Sequence, residues 1–266
     1  MATARTTGLP HYPGLTGAAA VHTRLYDETL IKAVETLGRQ GTMMVTGDPG
    51  LGKTFTCRAA MAELASHSGA ASIWVQLGRN PSTKEVLTQL LSCVGITANN
   101  REPAWALAAE LGDILAAEPR FVWVDEAQYL RSDAFTALRT IHDRPDAAWA
   151  LALIGSRRLS RQLSKDQPEL LSRVGRRVDF TPLEDDKELL VALNAWHPLL
   201  AACDNGRLVR MNRVGPRGNF RDWANLLETL VRVTESTGQL TEQVEAVSLH
   251  QCGYTLPAEL AKWLPR

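Results

Sequence analysis

Apolar positions along this chain follow two regimes. Up to residue 183, short unbroken apolar runs alternate with stretches of helical spacing; from Glu184 onward only helical spacing remains. Residues 42–46, 71–77, 121–124 and 149–154 are compact apolar or β-branched runs that predict buried strands, and Val178, Asp179 and Phe180 predict a short final one. Residues 23–39 space Leu30, Ile31, Val34 and Leu37 along one side and predict an amphipathic helix, as do 55–67, 83–94, 103–117 and the stretch near 132–142. Beyond the last strand, 184–203, 219–236 and 240–249 look helical. A βα-alternating half followed by an all-helical half predicts an α/β fold: a parallel sheet flanked by helices, with a small C-terminal helical lid. The expected organisation is a flexible Gly-, Pro-, Thr- and Ala-rich arm over 1–21, a core over 22–182, a helical lid over 183–250 and a tail over 251–266. In that tail Tyr254, Leu256, Leu260, Trp263 and Leu264 supply enough apolar surface to pack on the lid or to recruit a partner.

Charge changes this picture by exclusion. The 266 residues carry 29 Lys and Arg against 29 Asp and Glu. Bulk electrostatics therefore cannot drive nucleic-acid binding, and only local patches count. Residues 207–221 hold five arginines and no acid, and residues 155–165 add Arg157, Arg158, Arg161 and Lys165. Contact with nucleic-acid phosphates, contact between subunits and a solvated basic face all fit such patches. Four widely spaced cysteines (Cys57, Cys93, Cys203, Cys252) contain no C-x-x-C pair, which argues against a zinc site or disulfide framework and suits a reducing cytoplasm. Neither a signal peptide nor an apolar run of membrane-spanning length is evident, so no membrane association is expected.

The candidate nucleotide-binding residues are 47–55: Gly47, Asp48, Pro49, Gly50, Leu51, Gly52, Lys53 and Thr54, with Phe55 after them. This is the G-x-x-x-x-G-K-T pattern, set between a predicted strand and a helix that opens at Phe55. The glycines let successive backbone N–H groups turn inward on a triphosphate, Lys53 can reach its β- and γ-phosphates, and the Thr54 hydroxyl can bind Mg²⁺. The strand over 121–124 ends in Asp125 and Glu126, at the carboxyl end where open α/β sheets bind ligands. Asp125 is expected to hold or orient Mg²⁺ and Glu126 to polarise the attacking water; for an isolated pair, a helix cap by Asp125 is the alternative. Ser156, just past the strand over 149–154, would face the γ-phosphate if that strand lies beside the acidic one, although a strand-end Ser also serves as a turn or cap residue. Arg173, with Arg176 and Arg177 behind it, is placed to project from one subunit into the nucleotide site of a neighbour, against the alternative of a solvated arginine cluster. Arg221, at the start of a lid helix, could fold back onto the nucleotide and report hydrolysis.

Together residues 47–54, 122–126, Ser156, Arg173 and residues 218–221 resemble the AAA+ P-loop ATPases, and most closely the transposition-regulator branch typified by TnsC, TniB and MuB. The strand ending Trp123, Val124, Asp125, Glu126, Ala127, Gln128 and the strand running into Gly155 and Ser156 carry much of that likeness. The resemblance covers residues 22–240 and implies ATP and Mg²⁺ as cofactors, slow hydrolysis coupled to assembly, and a homo-oligomeric ring or filament on double-stranded DNA. It implies largely sequence-independent selection of target DNA and recruitment or activation of a transposase. In relatives the DNA contacts come from the segment after the second strand and from the loop after the next helix. Here those carry Arg79, Asn80, Thr83 and Lys84, then Asn99, Asn100 and Arg101. Loaders of helicases or initiators share the ATPase motifs, and a nucleotide-sensing switch that binds protein rather than DNA is the further alternative.

Overall fold

A computed structural model of the chain describes residues 15–99 and 101–264. The chain folds into two compact units. Among the described residues, one comprises Leu25–Pro49 and Lys53–Phe180; the other comprises residues 15–24, Gly50–Gly52 and residues 181–264.

The first unit is built on five parallel strands: β1 (Thr42–Gly47), β2 (Ala71–Gln76), β3 (Arg120–Asp125), β4 (Trp149–Ile154) and β5 (Val174–Phe180). Their order in the sheet is β2-β3-β4-β1-β5. The apolar pattern follows from this order. The central strands β1 and β4 bury all six residues and β3 buries five, while the edge strands β2 and β5 alternate buried with exposed positions. Strands covered on both faces must be apolar throughout, whereas an edge strand needs an apolar side chain only at every second position. That is why β5 extends back to Val174, four residues before the start expected from sequence: Arg176 and Arg177 lie within it, opposite Met43 and Met44 of β1. Edge charges of this kind also discourage further strand addition.

Helix α1 (Arg24–Gly38) precedes β1, and α2 (Lys53–Ser68), α3 (Thr83–Cys93), α4 (Ala104–Ala117), α5 (Ser132–His142), α6 (Arg157–Asp166) and α7 (Pro168–Arg173) connect the strands. A capping box fixes the start of α3: the Ser82 hydroxyl accepts the Glu85 N–H while the Glu85 carboxylate accepts the Ser82 N–H. The core of this unit joins Ile73, Val75, Val122, Val124, Leu151 and Leu153 of the sheet to Leu87, Leu90, Leu107, Leu111, Phe135 and Leu138 of α3, α4 and α5. Parallel connection puts the carboxyl ends of β1, β3 and β4 on one sheet edge. Gly47, Asp125 and Ile154 all terminate there.

The second unit is helical: α8 (Asp186–Trp196), α9 (Pro198–Ala201), α10 (Asn205–Val214), α11 (Phe220–Thr237), α12 (Glu242–Gln251) and α13 (Ala258–Ala261). Leu189, Leu193, Trp196, Leu208, Met211, Trp223, Leu227 and Leu249 form its core. Two segments that the sequence sets apart join it. Val21 is buried in this core and the Ala19 N–H donates to the Trp196 carbonyl (2.7 Å), so residues 15–21, expected from sequence to be part of a flexible arm, pack on helices. At the other end Leu260 is buried in the same core, with Tyr254 and Leu256 packed against it. No helix among the described residues is long and apolar enough to cross a membrane.

Candidate active site

The loop between β1 and α2 takes backbone conformations that side chains resist. Gly47, Gly50 and Gly52 have φ of +151°, +84° and +91°. Gly47 is doubly constrained, because a Cβ there would approach the Phe180 carbonyl oxygen of β5 to 2.6 Å. Lys53 Nζ arcs back across the turn and donates to the Asp48 carbonyl (2.8 Å). Burial lowers the Lys53 pKa, and Glu126, Asp125 and Asp48 pull it back toward the charged form. An anionic ligand in the loop would favour the ammonium further. Asp48 also pairs with Arg157 at the start of α6 (3.3 Å). Gly50–Gly52 fall in the helical unit, where the Gly50 carbonyl accepts the Arg221 N–H (3.1 Å).

Asp125 is 3 % exposed at the end of β3. Its two oxygens are both engaged: Oδ2 accepts the Thr54 hydroxyl (3.0 Å) and Oδ1 accepts the Glu126 N–H (2.9 Å). Burial raises its pKa, against the lowering effect of those two hydrogen bonds. The cap alternative for Asp125 is not what this geometry uses, since Glu126 occupies the N-cap position of the 3₁₀ turn Ala127–Tyr129. A buried carboxylate paired with a hydroxyl is a set of hard oxygen donors, which fits Mg²⁺ better than a softer metal.

Glu126 stands in the left-handed region, φ 56° and ψ 33°. For a residue with a Cβ this costs on the order of 1–3 kcal/mol, and it turns the side chain out of the strand direction. The Gln128 side-chain amide donates to Glu126 Oε2, and Gln128 Oε1 accepts the Ser156 N–H (3.1 Å). Ser156 itself is the N-cap of α6 but makes no side-chain cap bond, so its hydroxyl is not committed to the helix. β4 lies between β1 and β3, which places Ser156 past the strand adjoining both the phosphate loop and the acidic pair. Gln128 belongs to the acidic-strand motif, but the sequence pattern assigns it no role. The available signal was a side chain with both a donor and an acceptor two residues after the water-polarising candidate.

The arginine candidates separate. Arg173 ends α7 and is held by Asp143 (2.5 Å) and the Glu169 carbonyl (2.9 Å), both partners at the surface. Arg176 on β5 pairs with Glu35 of α1, and Arg177 is exposed beside it. Arg221 is an exposed first-turn residue of α11, with Asn219 capping that helix. The arginine-rich stretch 207–221 is largely neutralised by the fold. Arg207 and Arg210 both bind Glu245, which is 0 % exposed, and Arg213 pairs with Asp186. By contrast α6 buries Leu159 and Leu163 and leaves Arg157, Arg158, Arg161 and Lys165 exposed.

The DNA candidates divide between two places. Arg79 and Asn80 are exposed after β2, and Asn80 (φ 50°) offers its carbonyl to Arg131 (3.1 Å). Thr83 and Lys84 are half-buried in the first turn of α3. Asn99 folds its side-chain oxygen onto the Arg101 N–H (3.0 Å), and Arg101 is exposed. Asn100 lies outside the described residues. The first group lies before and in the first turn of α3, and the second lies in the loop between α3 and α4.

Residues 36–163 match the family model described as an AAA domain. No curated protein matches the chain. Among solved structures, Cdc6p from Pyrobaculum aerophilum superposes with a TM-score of 0.73 at 16 % identity, covering 97 % of this chain and 73 % of that one. The ORC2 protein of Aeropyrum pernix, as ADPNP–ADP complexes, gives 0.67 at 17 % identity over 90 % of this chain and 70 % of its own. The ORC1 protein of the same organism in complex with DNA gives 0.67 at 17 %, over 87 % and 66 %. The fold is that of the AAA+ P-loop NTPases, a five-stranded parallel sheet flanked by helices.

Proposed function

We propose that this chain is an ATPase whose nucleotide state controls its assembly on double-stranded DNA, and that it serves transposition by marking target DNA and recruiting or activating a transposase. The observation that carries the ATPase reading is the Thr54–Asp125 hydrogen bond with Glu126 turned out beside it, at the carboxyl edge of the sheet where the phosphate loop begins. Lys53 and the N–H groups of residues 47–54 would hold the phosphates, and Thr54 and Asp125 would hold Mg²⁺. The metal, when bound, supplies positive charge against the phosphate oxygens. Glu126 would accept a proton from the attacking water, and the Ser156 hydroxyl would orient it. Arg173 would act from a neighbouring copy by exchanging its surface Asp143 for the nucleotide, with Arg176 and Arg177 as its alternates. Arg221, which holds Gly50 through its backbone, is the candidate sensor on the helical unit.

Arg79, Lys84 and Arg101 would contact DNA phosphates, and Asn80, Thr83, Asn99 and Asn100 would add sequence-tolerant hydrogen bonds. With so few cations per chain, affinity would come from many subunits acting together. Duplex binding followed by gel shift and negative-stain imaging, with and without ATP, tests the reading. Lys53→Ala should abolish ATP-dependent DNA binding, and Glu126→Gln should trap assembled oligomers. Persistent coating of DNA by Lys53→Ala would refute the nucleotide control. A second reading, a loader of replicative helicase or initiator, draws support from the likeness to Cdc6p and ORC proteins. Stimulation of a transposase, against association with a replicative helicase, separates the two.

A further inference from the structure

The Gln128 amide is fixed at both ends. Its oxygen faces the Ser156 backbone N–H, which can only donate, so its NH₂ must face Glu126, whose carboxylate can only accept when ionised. The network therefore settles the amide orientation without ambiguity. Space for this bridge depends on Gly155, because a Cβ there would collide with Gln128 Oε1. The turn that Gln128 grips continues into Arg157, which pairs with Asp48 of the phosphate loop. One side chain thus ties the strained Glu126 to the β4–α6 turn, and the next residues of that turn tie to the loop.

We propose that Gln128 is a positioning residue for hydrolysis: it orients the Glu126 carboxylate for the attacking water and links that orientation to the Gly155–Ser156 turn. This rests on the ATPase reading above. A carboxylate in the left-handed region has several rotamers open to it, and a charge-assisted bond to one oxygen selects one of them and leaves Oε1 for water. Gln128 is bound to Glu126 and to the Ser156 N–H, so its loss should act on turnover rather than on ATP affinity.

The test is steady-state ATP hydrolysis by the full chain, with ATP affinity measured separately by a fluorescent analogue. Gln128→Met keeps the volume and removes both hydrogen bonds. It should lower kcat about ten- to a hundred-fold, the usual effect of losing a partner that orients a reactive group, with KM for ATP within about two-fold of the parent. Gln128→Glu keeps an acceptor for the Ser156 N–H but sets a second carboxylate against Glu126. It should lower kcat with KM for ATP within about two-fold of the parent. Gly155→Ala displaces the amide without altering Gln128 and should reproduce the kcat-selective loss. If Glu126→Gln is inactive while the Gln128 variants keep the parental kcat, the positioning role falls and the ATPase reading stands. If Glu126→Gln hydrolyses ATP at the parental rate, the water-polarising role falls and the Gln128 proposal falls with it.

Discussion

Asp125 is asked to stay charged where water hardly reaches it. Its raised pKa sets the sign of its contribution to stability. The folded value lies above the unfolded one, so the folded state favours the proton. The contribution of Asp125 is fullest below the unfolded pKa and falls as pH rises through the raised folded value, after which it stays level. Asp125→Asn removes the buried charge and retains an oxygen for the Glu126 N–H. In the absence of nucleotide this variant should melt about 2–4 °C above the parent at neutral pH, the equivalent of about 1 kcal/mol for a chain this size, with the gap closing in acid. Its hydrolysis should be lost. A lower melting temperature at neutral pH would contradict the burial argument. At this scale the pattern alone nominates Lys53, Thr54 and Asp125, because an ammonium, a hydroxyl and a carboxylate at that spacing suit a phosphate and its metal. The left-handed Glu126 and the Gln128 bridge were not readable, since a backbone angle and a tertiary hydrogen bond leave no composition signal.

Helix α11 shows how two glycines with the same backbone angle differ in cost. Gly218 precedes its cap at φ +77° and Gly238 ends it at φ +79°. A Cβ at 218 would come within 2.5 Å of the Leu183 carbonyl oxygen, while a Cβ at 238 meets nothing within 4 Å. Gly238→Ala should therefore cost only the left-handed penalty, roughly 1–2 kcal/mol. Gly218→Ala must add displacement of the Leu183 backbone and should cost more, on the order of 3 kcal/mol. Chemical denaturation of the two variants compares them directly; equal losses would show that the close approach is relieved without strain. The start of α11 at Phe220, just after residues 218 and 219, was legible because Gly followed by Asn is a strong local signal. The neutralisation of residues 207–221 was hidden, because Glu245 arrives from α12. Likewise β5 looked shorter in sequence than it is, since an edge strand tolerates Arg176 and Arg177 at positions a central strand would reject.

At the scale of the whole molecule the question is whether one chain holds a complete site. Arg173 pairs with Asp143 at the surface, with side chains 40 % and 34 % exposed. Arg173→Ala should thus change folding stability by less than about 1 kcal/mol. If the arginine works from a neighbouring copy, Arg173→Ala and Glu126→Gln should each be inactive alone and recover hydrolysis when mixed. The mixed interface then joins an intact Glu126 to an intact Arg173. Failure of mixing to restore activity, with both variants folded and assembling, would place the arginine elsewhere. DNA binding offers a parallel measurement: removing Arg79 or Arg101 should each weaken binding alike across sequences and reduce the salt slope by about one.

The α/β half, the helical half and the phosphate loop were legible from the chain alone. Periodicity is imposed by the backbone, and the loop's binding groups are contiguous N–H donors with one Lys and one Thr, so both are local properties. The meeting of Thr54 with Asp125, 71 positions apart, depends on the strand order β2-β3-β4-β1-β5. So do the placement of Ser156 beyond the strand between them and the hold of Gln128 on Glu126. These contacts exist only once parallel crossovers bring distant strand ends to one edge, and no local rule specifies which strand is inserted between which. The candidate residues could be named beforehand; the arrangement that brings them together is a property of the folded sheet.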